Sequence, residues 1–406
     1  MVNFKAKIFA DIIVCISLLM VFSPVIAGRT TTLYNVEMLV VDESAATRWG
    51  AFKRGLDEVF IRISGDSIVM DKLKPPAPTA YVKRYSYIPV EEPTKNESGE
   101  LLPYRIKIQY NAGSMEKYLL DNGFPVWGKH RPDVVVWLAV RDGRNEYVLK
   151  NNDRSLIKVA ADKALVRRGI PEVWPQYDIK DKKVLSVADI RGGFKDPIAT
   201  ASKRYSHGPV LAGSIIWNGS KWQSSWNLLM KSGARHWSLS DADYNNLINK
   251  AVDQAADAMG VVFALHGTVK NENLATIQLD IQAVNSIERY NRVETYLTSL
   301  RAVDSARPIR VDSETAVFEV TLRSEKVDFL NALKNDDEFV EVEKPEMEQS
   351  ELDEPAVETL NIGGTKPGET NQDVEQPETK LGSRVEEQLT ANQQEVVPMY
   401  YYKLVN

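Results

Sequence analysis

A chain of 406 residues with 43% hydrophobic and 26% charged residues holds ample core material and is too long for one ordinary domain. The net charge of -6 is unevenly spread: residues 336–380 carry fifteen Asp or Glu against three Lys, residues 381–406 add -1, and residues 1–335 are left at about +7. Cys15 is the single cysteine, so disulfide chemistry within one chain is excluded.

The N-terminus has the pattern of an export signal. Lys5 and Lys7 precede the apolar run Ile12–Phe22, Ser23-Pro24 breaks it, and Val25-Ile26-Ala27 offers small-residue cleavage chemistry before Gly28. The run is short for a membrane span, and Asp11 at its edge leaves an uncleaved anchor as the second reading. Cys15 lies inside this run, so a mature chain starting at Gly28 has no thiol and its stability rests on packed cores.

Tyr34–Val41 alternates as a strand. Ser44 then caps a helix whose apolar positions Ala45, Trp49, Phe52, Leu56, Val59, Phe60 and Ile63 share one face, and Gly65 ends it. Residues 80–88 and 104–110 read as strands separated by a mobile polar insert, EEPTKNESGE, and 114–120 as a short helix. This α+β module covers 28–124. A second block, 125–268, opens on GFPVWGKHRPDVVVWLAV. Its run Asp133–Val140 is continuously apolar and β-branched, as in a strand buried on both faces. Helices follow at 154–167 and 197–205. Strands at 208–217 and 221–230 flank the hairpin signal Asn218-Gly219, a third strand contains His236-Trp237, and a long helix spans 242–264. The block 269–343 runs strand, helix, strand, strand, helix, strand, the order of a ferredoxin-like βαββαβ domain. The fold class is therefore mixed α+β and α/β: a multidomain chain with an α/β sandwich body, a C-terminal ferredoxin-like domain and, over 344–406, a disordered acidic tail whose apolar, aromatic end VVPMYYYKLV reads as a docking peptide or a sticky end.

Chemistry is sparse. His130, His207, His236 and His266 form no metal-ligand spacing, and neither a nucleophile elbow nor a phosphate loop is present, so no cofactor, metal or catalytic residue is assigned. Ser214 lies mid-strand, where a nucleophile would be hidden. Asp178, Asp181, Asp189 and Asp196 suit caps and loops better than acid–base pairs. Two groups of binding candidates remain. Trp127, Lys129 and Arg131 stand at the entrance of the buried strand, either as a domain junction or as a crevice for an anionic group. Trp217, Trp222, Trp226 and Trp237 cluster on the hairpin, either beneath the 242–264 helix or as a stacking face. Lys and Arg are dispersed, which argues against nucleic acid.

The motifs Ser44-Ala45-Ala46 leading to IRISGD, then GFPVWGKHRPDVVVWLAV, RRGIPEVWPQYD, ADIRGGF and ASKRYSHGPVLAG resemble an exported bacterial family, domain of unknown function 2066, over residues 33–265. Pro209 departs from its pattern. The resemblance implies an exported protein with no assigned activity and carries over no catalytic residue. The expectation is a periplasmic, non-catalytic protein that binds an envelope protein or wall polymer, with membrane contact only through an uncleaved N-terminus. The alternative is a hydrolase or transferase using loop carboxylates.

Overall fold

The computed structural model describes residues 33–265, 274–344 and 397–405, arranged as two compact units divided at Gly267/Thr268. Residues 1–27, which the sequence reads as an export signal, and residues 345–396 of the acidic tail lie outside the described residues. Among the described residues no helix is long and apolar enough to cross a membrane.

The first unit begins with β1 (Asn35–Val40), then α1 (Ala45–Ser64) and the single turn α2 (Val69–Lys72). Ser44 accepts from the Thr47 N–H and Gly65 closes α1 in the left-handed conformation, so both ends are capped as the sequence predicts. β2 (Val82–Lys95), β3 (Leu101–Tyr110) and α3 (Ala112–Asp121) follow. The sheet order is β1-β3-β2, all antiparallel, with α1 over one face: Phe52, Leu56, Phe60 and Ile63 pack on Ile106, Ile108 and Tyr110. The insert expected to be mobile is instead part of this sheet. Thr94 and Lys95 pair with Leu102 and Leu101, and a turn from Asn96 to Glu100, with Gly99 at φ 82°, closes a long hairpin. The Asn96 side chain fixes that turn by accepting from the Glu100 N–H, a local bond that composition alone does not reveal.

The unit continues through β4 (Val134–Asp142), β5 (Asn145–Val148), α4 (Leu156–Arg168), β6 (Glu172–Val173), α5 (Ile179–Val184), α6 (Val187–Gly192), α7 (Lys195–Ser202), β7 (Val210–Trp217), β8 (Trp222–Met230), β9 (Gly233–Asp241) and α8 (Tyr244–Phe263). The sheet order is β5-β4-β7-β8-β9, with β6 on the free side of β4 at its start. β4 and β7 are parallel, and β7, β8 and β9 form an antiparallel meander. Val134–Val140 is buried throughout, as its unbroken apolar sequence requires. Trp137, Ile190, Ile198 and Ala212 form the core on the face of α6 and α7. Backbone contact joins this part to the end of α1: a Cβ built on Gly260 of α8 would lie 2.4 Å from the Gly65 carbonyl oxygen.

The second unit holds β10 (Thr276–Gln282), α9 (Ile287–Ser299), β11 (Val303–Val311), β12 (Thr315–Leu322), α10 (Lys326–Asn335), β13 (Phe339–Glu341) and β14 (Met399–Leu404). The expected βαββαβ order is present, but the sheet has five strands in the order β11-β12-β10-β14-β13. The assignment of all of 344–406 to a disordered tail is therefore corrected at its end. β14 lies between β10 and β13, with Tyr402 and Leu404 buried. The aromatic sequence MYYYKL has the pattern of a half-buried strand, and its partners lie too far away in sequence for local reasoning to find.

Candidate functional site

Trp127 and Arg131 meet at the junction within the first unit. The Trp127 N–H donates to the Ile63 carbonyl at 2.6 Å, and its indole stacks on Phe263 at 5.9 Å and 12°. Arg131 is buried. Its guanidinium donates to the carbonyls of Gly128, Arg168, Gly169, Arg62 and Trp127, at 2.8 to 3.2 Å. Burial, with Arg62 and Arg168 nearby, pushes its pKa down, and the carbonyl dipoles offset that cost. These bonds direct the guanidinium into the protein rather than toward an anion. Lys129 is exposed on the same loop. Arg168 extends the network: it bonds Asp253 at 2.9 Å and Asp257 at 2.7 Å, and Asp257 accepts from the Ser67 N–H and Oγ.

The four hairpin tryptophans have different surroundings. Trp226 is 1% exposed and packs over Gly213, where a Cβ would stand 2.4 Å from its ring. Trp217 and Trp222 are half-buried, 5.2 Å apart between centroids, with Tyr244 6.0 Å beyond Trp222. Trp237, opposite Trp226, is half-buried too. The long helix α8 packs on β8 and β9, and its first residue, Tyr244, lies against this group.

The carboxylates marked in the sequence serve local structure. Asp178 and Asp181 form a capping box at α5, and Ser186 and Asp189 form another at α6. Asp178 is bonded by Arg204, which holds its carboxyl well below the usual range. Asp181 accepts from Tyr205 Oη at 2.5 Å, and burial followed by this bond pushes the phenol up to about 12. Asp196 stands in the first turn of α7.

The surface that sequence reasoning missed is the opposite face of the β7-β8-β9 meander. The register aligns Ser214, Ser225 and Ser238 across the three strands, and Ile216, Gln223 and Ser240 form the next row. They line an open groove of 410 Å³. Ser214 is buried at its floor, while Gln223, Ser238 and Ser240 are exposed. Directly paired residues share a sheet face about 5 Å apart, so the serines form a ladder of hydroxyls. The signal was present in β9, where Ser238 and Ser240 alternate with Trp237 and Leu239 and mark a polar face. The first sheet also has an open outer face, where Glu37 meets Lys107 at 3.1 Å and Arg105 at 3.7 Å. Shallow depressions of 330 and 450 Å³ lie there. Among the described residues no group of three His, Cys, Asp or Glu could hold a metal ion.

Residues 27–128 match the family described as Domain of unknown function (DUF8605), a segment that contains the first sheet, α1 and the loop bearing Trp127. No curated protein and no solved structure matches the chain.

Proposed function

We propose that the chain is an exported, non-catalytic cell-envelope protein that holds a wall polymer against the open face of its β7-β8-β9 meander. The Ser214–Ser225–Ser238 ladder carries this reading. Hydroxyls both donate and accept, so such a ladder suits an extended chain rich in hydroxyl and amide groups. It stands on paired strands, which hold the contact geometry rigidly. Three of the four carboxylates of the alternative hydrolase reading, Asp178, Asp181 and Asp189, are engaged in caps and ion pairs.

The N-terminal charge and hydropathy pattern supports export to the periplasm, and the motifs of residues 33–265 support the resemblance to the bacterial family of domain of unknown function 2066. In the second unit, the βαββαβ order and the antiparallel β10-β12 and β11-β12 pairs support a ferredoxin-like sheet enlarged by β14.

Sedimentation of the purified chain with insoluble envelope wall polymer tests the binding. The wild type should pellet, and Ser225→Val/Ser238→Val should pellet at least about tenfold less at an unchanged melting temperature. A wild-type chain left in the supernatant would overturn the proposal.

A further inference from the structure

The second unit contains a strand whose connection is far longer than its position requires. β13 and β14 are antiparallel neighbours, with Phe339 opposite Leu404 and Glu341 opposite Tyr402. The Val342 N–H donates to the Tyr401 carbonyl at 3.0 Å, continuing the ladder one step past β13. A connection of about two to five residues closes such a pair. Here residues 342–398, 57 in number, intervene. Fully extended, 57 residues reach up to about 190 Å.

The position β14 fills is a slot, not an edge. On one side it pairs in parallel with β10, from Gln278 opposite Met399 to Gln282 opposite Lys403. On the other it is the only recorded strand partner of β13 among the described residues. The Gln278 N–H donates to the Pro398 carbonyl at 2.9 Å and the Val405 N–H to the Glu338 carbonyl at 3.0 Å, so the ladder is bonded at both ends. Tyr402 packs near Phe339 and is 2% exposed, as is Leu404. Arg289 and Arg292 donate to the carbonyls of Leu404 and Val405. Main-chain bonds on both sides with pockets for alternate side chains define a strand-recognition site.

We propose that the slot between β10 and β13 is a strand-binding site whose occupant is exchangeable, and that Met399–Leu404 of a second copy of this chain fills it to give a strand-swapped dimer. A second copy supplies the same residues in the same register, so its fit is the one the structure already displays. The contacts made in trans are those made in cis, and exchange of an identical element is a low-cost route to dimers. The long connection supplies the reach that a tight hairpin denies.

The test compares the full chain with a variant in which residues 343–398 are replaced by a four-residue Gly/Asn turn, which ties β14 to β13 in cis. Both are held at several hundred micromolar, warmed to just below the melting temperature, cooled and weighed by light scattering after size separation. A second measurement mixes ¹⁴N- and ¹⁵N-labelled wild-type chains, to be read by native mass spectrometry. The wild type should form a dimer, with mixed-label dimers at the statistical proportion, and the short-turn variant should stay monomeric. A wild type that remains monomeric overturns the proposal. A short-turn variant that dimerises equally also overturns it, because the interface then lies elsewhere. Should the short-turn variant fail to fold, Tyr402→Asp in the full chain replaces it: loss of the dimer supports the swap, and persistence of the dimer overturns it.

Discussion

The guanidinium carbon of Arg131 lies 4.0 Å from the centre of the Trp127 indole, and the same guanidinium donates to the Trp127 carbonyl. The two residues form one unit: the ring covers the cation, and the cation gathers carbonyls from α1, the Trp127 loop and the end of α4. Removing the ring opens a cavity beside Phe263 and uncovers the charge. Trp127→Ala should therefore cost about 3–5 kcal/mol, as for other buried tryptophans. Thermal melting of Trp127→Ala beside Lys129→Ala checks this. Lys129 is exposed and its removal should fall within about 0.5 kcal/mol of wild type. A wild-type melting temperature for Trp127→Ala would remove the junction role.

Arg131 itself makes a second, sharper prediction. A lysine keeps the charge but offers three donors on one point, where the guanidinium reaches five carbonyls with a planar fork. Arg131→Lys leaves buried carbonyls without donors, at about 1–3 kcal/mol for each group stranded. Chemical denaturation should show a loss of at least about 2 kcal/mol. Equal stability would mean that the carbonyls are satisfied without the fork.

Much of this junction was legible in part. The continuously apolar run Asp133–Val140 marked a buried strand entered past Trp127 and Arg131, and Val134–Val140 is buried throughout in β4. The partners of Arg131 were not legible, because they are the main-chain carbonyls of Arg62, Trp127, Gly128, Arg168 and Gly169, brought together from two helix ends and a loop, and backbone oxygens leave no composition signal. The same limit hid β14: periodicity describes MYYYKL as strand-like but says nothing of a slot reached across 57 residues. The serine ladder was hidden differently. Serine is common in loops, and three separate strands had to be put in register before Ser214, Ser225 and Ser238 became neighbours.

Two glycines in helices predict opposite signs for the same substitution. Gly50 lies within α1, and a Cβ there would meet only the end of the flexible Arg54 side chain at 3.6 Å. Gly50→Ala should stabilise by roughly 0.5–1 kcal/mol, the ordinary helical gain. Gly260 lies within α8, where a Cβ would approach the Gly65 carbonyl oxygen at 2.4 Å and its Cα at 2.9 Å. Those atoms are backbone at the cap of α1 and cannot swing aside. Gly260→Ala should lower stability by about 1–3 kcal/mol, in the range of overpacked cores. Melting of the two variants side by side gives the sign, and a stabilised Gly260→Ala would mean that the α1–α8 contact is loose.

Asp280 predicts a pH dependence confined to the second unit. It stands in the middle of β10, opposite Val317 and Tyr401, and is 7% exposed. Its buried Oδ1 has no hydrogen-bond partner among the described residues, and its Oδ2 lies 3.5 Å from Arg310. Burial raises the carboxyl pKa above its ordinary 3.8, Arg310 offsets part of the rise and Asp312 adds to it. The folded state then holds the proton more tightly than the unfolded chain. Its stabilising effect is complete below 3.8 and is lost as pH rises through the raised folded value, so at pH 7 the ionised group is a burden. Asp280→Asn removes that charge. At pH 7 the variant's second unit should melt higher, by on the order of 1 kcal/mol or about 4–8 °C in a domain of this size. The gain should shrink toward zero near pH 3, where the wild-type carboxyl is neutral in both states. Calorimetric scans of both proteins from pH 3 to pH 7 measure it, with Asp304→Asn as the exposed control, since Asp304 pairs with Arg323 at the surface. A gain that stays constant across the range would show that packing, and not the proton, sets the difference; no gain at pH 7 would show that Arg310 already satisfies the charge.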